Sequence, residues 1–98
     1  MFGTSADREE ITDADAAPVV VYGTQWCGAT QMVRRYLDRM RIPYVFRDMD
    51  RDAAATNQVK WWTGGYASHP TIQIGGDILV EPSMDELKWT LAQNGLIG

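Results

Sequence analysis

Apolar side chains recur along this chain with different spacings, and each spacing predicts its own element. Val19-Val20-Val21-Tyr22, entered from Pro18, is an apolar, largely β-branched run without alternation, as expected of a strand buried on both faces. From Gly28 to about Arg41 the apolar positions are Val33, Tyr36, Leu37 and Met40, one face of a helix. Arg34, Arg35, Arg39 and Arg41 occupy the rest, and the last two suit the negative end of the helix dipole. Pro43 forbids continuation, and Tyr44-Val45-Phe46 reads as a second strand.

Asp50 or Asp52 can cap a second helix that runs through Ala53-Ala54-Ala55 to Trp62, where Gly64-Gly65 stops it. Pro70 to Ile74 predicts a third strand, Gly75-Gly76 a tight hairpin turn and Asp77 to Val80 a fourth strand. Ser83-Met84-Asp85-Glu86 has the form of a capping box and opens a last helix with Met84, Leu87 and Leu91 on one face, ended by Gly95. The order is therefore β-α-β-α-β-β-α. A βαβ unit crosses over right-handed and a hairpin is antiparallel, so an α/β domain with a mixed four-stranded sheet flanked by helices is expected. Several small α/β folds share that order.

The 98 residues suffice for one domain, expected over residues 18–98. Residues 1–17 carry Asp7, Glu9, Glu10, Asp13 and Asp15 with almost no large apolar side chains, the composition of a flexible acidic tail. They also lack the apolar stretch of a signal peptide. A net charge of −4 argues against nucleic acid or an anionic membrane as partner, and no apolar run approaches the roughly 20 residues a membrane span requires. The single cysteine cannot form an internal disulfide, so nothing calls for an oxidising compartment. A cytoplasmic monomer is expected. Asp48, Asp50 and Asp52 lack the glycine and terminal glutamate of a calcium loop, and no metal site is expected.

The candidate chemistry begins at that cysteine. Cys27 falls where the first strand hands over to the first helix, in Tyr22-Gly23-Thr24-Gln25-Trp26-Cys27-Gly28-Ala29-Thr30. A thiol at a helix N-terminus meets unpaired N–H groups and the positive end of the dipole, both of which favour the reactive thiolate. A pKa below that of a free thiol is expected. Thr30, three residues on, can donate a hydroxyl hydrogen bond to such a thiolate. Trp61, Trp62 and Tyr66 offer a possible partner-binding patch, although helix packing accounts for at least one tryptophan.

Two further segments keep a specific distance from Cys27: Gly64-Gly65 through Ser68-His69-Pro70-Thr71, and Glu81-Pro82-Ser83. From Pro18 to about Asn94 the chain resembles the glutaredoxin family, and its pattern is most similar to the mycoredoxin-type members of actinobacteria. The resemblance implies a thioredoxin-like fold in which Pro70 is cis and lies against the sulfur of Cys27. It implies thiol–disulfide exchange with glutathione or mycothiol as co-substrate, no tightly bound cofactor, and protein mixed disulfides as partners. Cys27 is then the nucleophile, Thr30 and His69 tune its thiolate, and Thr24, Trp26, Ser68, His69, Pro70 and Ser83 form the small-thiol site. Thr30 stands where a dithiol enzyme has its resolving cysteine, which leaves a monothiol cycle. His69 departs from the Val or Thr usual before that proline. Two other functions fit the family outline: an iron–sulfur cluster carrier, disfavoured because the pattern is Cys-Gly-Ala-Thr with no lysine upstream, and an interaction module that has lost turnover.

Overall fold

The computed structural model describes residues 17–98; the acidic segment expected over residues 1–17 lies almost wholly outside them. The elements follow the expected order: β1 (Val19–Gly23), α1 (Gly28–Arg39), β2 (Tyr44–Asp48), α2 (Ala53–Thr63), β3 (Thr71–Ile74), β4 (Asp77–Val80) and α3 (Met84–Gln93). They build one four-stranded sheet in the order β2-β1-β3-β4. β1 runs parallel to β2, from Val19↔Tyr44 to Gly23↔Asp48, and antiparallel to β3, from Val19↔Ile74 to Tyr22↔Thr71. β3 and β4 form the antiparallel hairpin, with Ile74 opposite Asp77 across Gly75-Gly76.

The unbroken apolar run of β1 has its reason in the two cores it feeds. Val19 and Val21 face Val33, Tyr36 and Leu37 of α1, Ile72 and Ile74 of β3, and Leu87 and Leu91 of α3. Val20 and Tyr22 point the other way, into a smaller cluster with Met49 and with Ala55, Val59 and Trp62 of α2. Helices therefore cover both faces of a central strand that has no solvent side to reserve for polar residues.

The helix ends show where local signals were adjusted by packing. α1 closes at Arg39 rather than near Arg41: Arg41 takes φ 57°, and the Ile42 amide bonds to the Leu37 carbonyl at 2.9 Å. That turn sends Ile42 into the core and leaves Met40 exposed, so Met40 is not on the buried face as its spacing suggested. Asp52, not Asp50, caps α2, accepting from the Ala55 amide at 3.1 Å. The other Asp52 oxygen takes two bonds from Arg47, at 3.1 and 2.8 Å, and these bonds hold its carboxyl below the ordinary range. Gly64 ends α2 with φ 81°. The capping box at Ser83 is complete: Ser83 Oγ accepts from the Glu86 amide at 3.1 Å, and Glu86 Oε1 accepts from the Ser83 amide at 2.8 Å.

Glu81 is the one exposed acidic residue held in the left-handed region among the described residues, at φ 49°. Its amide donates to the Pro70 carbonyl at 2.9 Å, so the strained turn ties the start of α3 to the start of β3. Asn enters this backbone region at lower cost than Glu. Glu81→Asn is expected to raise unfolding stability by about 0.5–1 kcal/mol in urea denaturation, with an unchanged m-value.

Candidate active site

The parallel and antiparallel neighbours of β1 bring three segments to its C-terminal end. The first is the β1–α1 turn. Cys27 is the N-cap of α1, with extended backbone (φ −82°, ψ 117°) and no side-chain cap bond of its own. Its amide reaches the Thr24 carbonyl at 3.4 Å, and Gln31 Nε2 braces the same turn by donating to the carbonyls of Thr24 (3.3 Å) and Gln25 (3.0 Å). The second segment is the approach to β3. The His69–Pro70 peptide is cis, and Cys27 Sγ lies 4.0 Å from the His69 carbonyl oxygen, 42 residues away in sequence. The third is the β2–α2 loop, where Asp50 Oδ2 accepts a 2.7 Å bond from Trp26 Nε1.

These contacts arrange the aromatic wall beside the thiol. Trp26 is 70% exposed, yet its indole is fixed by Asp50 at one end and meets the His69 ring edge-on, centroids 5.2 Å apart and planes at 83°. Asp48 steadies the loop from beneath, accepting from Gln25 Nε2 at 3.1 Å and from the Asp50 amide at 3.0 Å. Asp48 and Asp50 thus have structural partners, and among the described residues no cluster of three or more His, Cys, Asp or Glu is placed to hold a metal ion.

The electrostatics of the thiol follow from a contest. Burial acts most strongly on Cys27 and pushes its pKa up, because it penalises the charged form. Acting together against it are the Thr30 hydroxyl and amide, the His69 side chain and the Ala29 amide, all of which favour the thiolate. They prevail, and the pKa falls from 9.0 to about 7. A thiol at that value is about half ionised at pH 7, against about 1% at 9.0.

Thr24 Oγ1, Thr30 Oγ1 and His69 Nδ1 are the buried side-chain polar atoms that lack a hydrogen-bond partner among the described residues, and all three belong to the segments meeting at Cys27. An unpaired buried polar atom costs about 1–3 kcal/mol, and such costs gather where a site is preorganised for something else. Thr30 is fully buried, with its hydroxyl uncommitted and available to the sulfur. Its place is made by Gly23: a Cβ there would lie 2.5 Å from both Oγ1 and Cγ2 of Thr30.

Of the residues expected at the site, Cys27, Trp26, Thr30, His69 and Pro70 are brought together. Ser68 stands beside them, its carbonyl accepting from Thr71 Oγ1 at 2.9 Å. Thr24 is 2% exposed, so it offers the turn its carbonyl rather than offering a ligand its hydroxyl. Ser83 spends its oxygen on the α3 cap, and the Glu81–Pro70 bond places its segment alongside the proline. Trp61 and Tyr66 are 81% and 71% exposed, whereas Trp62 packs edge-on against Tyr22 at 5.3 Å, so the expected aromatic patch loses that member to the core. Sequence reading missed Asp50, Gln31 and Gly23 as supports, since nothing in a 24-residue separation links Asp50 to Trp26. Cavities of about 410 Å³ beside Val20 and Arg47, and about 500 Å³ beside Leu79 and Trp89, lie apart from Cys27.

The glutaredoxin family model matches residues 19–79, a span that holds the thiol, the cis proline and the whole sheet apart from Val80. The chain belongs to the glutaredoxin family. Two proteins named as putative glutaredoxins, from two strains of Mycobacterium tuberculosis, are 33% identical to it over 78 residues, covering 79% of this chain and 93% of theirs. Among solved structures, the thioredoxin-like protein BC3987 superposes with a TM-score of 0.66 at 27% identity, over 72% of this chain and 96% of that one. A buckwheat glutaredoxin–glutathione complex gives 0.66 at 20% identity (94% and 91% covered), and the Archaeoglobus fulgidus glutaredoxin gives 0.69 at 18% (81% and 90%). The fold is thus thioredoxin-like, and thiol–disulfide oxidoreduction is the general activity that family and fold support. No helix among the described residues is long and apolar enough to cross a membrane.

Iodoacetamide alkylation of Cys27 is expected to rise with pH through a midpoint of about 7. Thr30→Val, which removes the hydroxyl without changing shape, moves that midpoint upward, because one of the groups favouring the thiolate is gone. Gly23→Ala is expected to cost about 1–3 kcal/mol through collision with Thr30, and the cost shrinks in the Thr30→Ala background when the cycle is measured by urea denaturation.

Proposed function

We propose that this protein is a monothiol oxidoreductase that exchanges protein mixed disulfides with a low-molecular-weight thiol, glutathione or mycothiol. The observation that carries this reading is a depressed-pKa thiol at a helix N-terminus facing a cis proline, with a threonine in the place of a second cysteine. Cys27 thiolate attacks the small-thiol sulfur of the mixed disulfide. The protein thiol departs, and a second small thiol resolves the Cys27 adduct and regenerates the thiolate. The thiolate fraction helps, but nucleophilicity falls with pKa, so a value near ambient pH serves better than a very low one.

Backbone geometry suits a peptide-like thiol. The β1–β3 ladder ends at Tyr22↔Thr71, and the chain leads into it through Ser68 and His69, whose carbonyl oxygen lies 4.0 Å from the sulfur. An extended tripeptide can pair with that stretch as an added strand, Trp26 covering it from the side. The buckwheat relative was crystallised with glutathione, which supports a tripeptide thiol as the co-substrate class. Thr30 has no sulfur with which to resolve a bound protein, so exchange runs through the external thiol and not through an internal disulfide.

Turnover of a glutathionylated or mycothiolated peptide should require Cys27: Cys27→Ser falls to the uncatalysed rate. Insulin disulfide reduction, which needs an attacking and a resolving thiol, should stay at background in the wild type. Retention of activity by Cys27→Ser sinks the proposal. Assembly of a stable thiol-dependent iron–sulfur chromophore by a protein with no exchange activity would favour the carrier instead.

A further inference from the structure

Exchange at Cys27 has to move a proton as well as electrons. The departing protein thiolate must gain one, and the incoming small thiol must lose one. We propose that His69 is the catalytic acid and base that carries it, an inference that rests on the exchange reading above.

His69 is the one titratable side chain among the groups that act on the thiol of Cys27; the others are the Thr30 hydroxyl and the amides of Thr30 and Ala29. Its backbone carbonyl stands 4.0 Å from Sγ, so the ring is anchored within one residue's reach of the reacting atom. Nδ1 is shielded from water and has no hydrogen-bond partner among the described residues, which leaves it uncommitted to a structural role there. The orientation of the ring is nonetheless controlled: Trp26 abuts it edge-on at 5.2 Å, and Trp26 is itself pinned by the 2.7 Å bond to Asp50. A histidine serving only the fold would have its buried nitrogen paired. An imidazole held by packing, on the residue whose carbonyl meets the sulfur and with a ring nitrogen not spent on the fold, has the form of a proton carrier.

The cycle balances with this one group. It starts from Cys27 thiolate and imidazolium. The bond from Sγ to the small-thiol sulfur forms as the mixed disulfide breaks, and the protein thiolate leaves about 4 Å from Sγ, two S–S bond lengths in line. Imidazolium protonates it, giving the free protein thiol and neutral His69. A second small thiol then passes its proton to His69 and attacks the Cys27 adduct. The products are the oxidised small-thiol disulfide, Cys27 thiolate and imidazolium again. The proton released by the second thiol is the one the next protein thiol receives.

A proton donor to the leaving group matters most when that group is a poor one. The test follows the first half-reaction alone, single-turnover release of the leaving thiol before a second small thiol is added. It compares wild type, His69→Gln and His69→Val on two glutathione mixed disulfides, one releasing an aliphatic peptide cysteine and one releasing nitrothiobenzoate, an aromatic thiol of low pKa. Loss of His69 is expected to slow the aliphatic substrate about 100-fold while changing the aromatic one less than about threefold. Val provides a second packing for the position should Gln perturb the fold. Equal losses on both substrates would mean that the ring only tunes or supports Cys27, and no loss on either would mean that it does nothing in exchange; both overturn the assignment. Cys27→Ser run beside them keeps the two ideas separate. Its retention of activity overturns the exchange reading, whereas its inactivity with equal His69 losses overturns only the proton carrier.

Discussion

The register of β1 against β3 is the constraint on which this site depends. With Tyr22 opposite Thr71, the residue before Thr71 is the cis proline, and His69 meets the sulfur at the start of α1. A slip of one residue would turn every side chain of β3 to the opposite face, exchanging Ile72 and Ile74 for Thr71 and Gln73 in the larger core. The core therefore polices the position of the chemistry. Leu37, Leu87 and Leu91, fully buried in that core, help fix where His69 arrives.

Around that junction the protein leaves polar atoms unpaired that elsewhere it pairs carefully. Asp52 caps α2 and accepts two bonds from Arg47, and Ser83 and Glu86 satisfy each other's amides. At the thiol, Thr30 and His69 keep a hydroxyl and a ring nitrogen in reserve. Burial alone would make Cys27 an ordinary inert thiol; donors already in place when the charge develops reverse that. Gly23 belongs to the same device, since the hydroxyl could not sit so close beneath a side chain at that position.

Much of this was legible along the chain, and the reasons differ by element. β1 betrayed its burial by having no polar alternation, and the α3 capping box is a local motif that its own four residues complete. The end of α1 was misplaced because Met40 fits the helical spacing, while the decision lay with Ile42, whose burial closes the turn through Leu37. The choice between Asp50 and Asp52 as cap was open locally. Tertiary contact settled it by giving Asp50 to Trp26 and Arg47 to Asp52.

The sequence by itself determined the order of elements, the place of the one thiol and the absence of a second, since periodicity, caps and residue identity are written locally. Only the tertiary structure decided what surrounds the sulfur. Residues 27 and 69 meet through a strand ladder, 26 and 50 through two loops, and 23 and 30 through a missing Cβ. Each of those contacts depends on distances across the fold, which no spacing along the chain encodes.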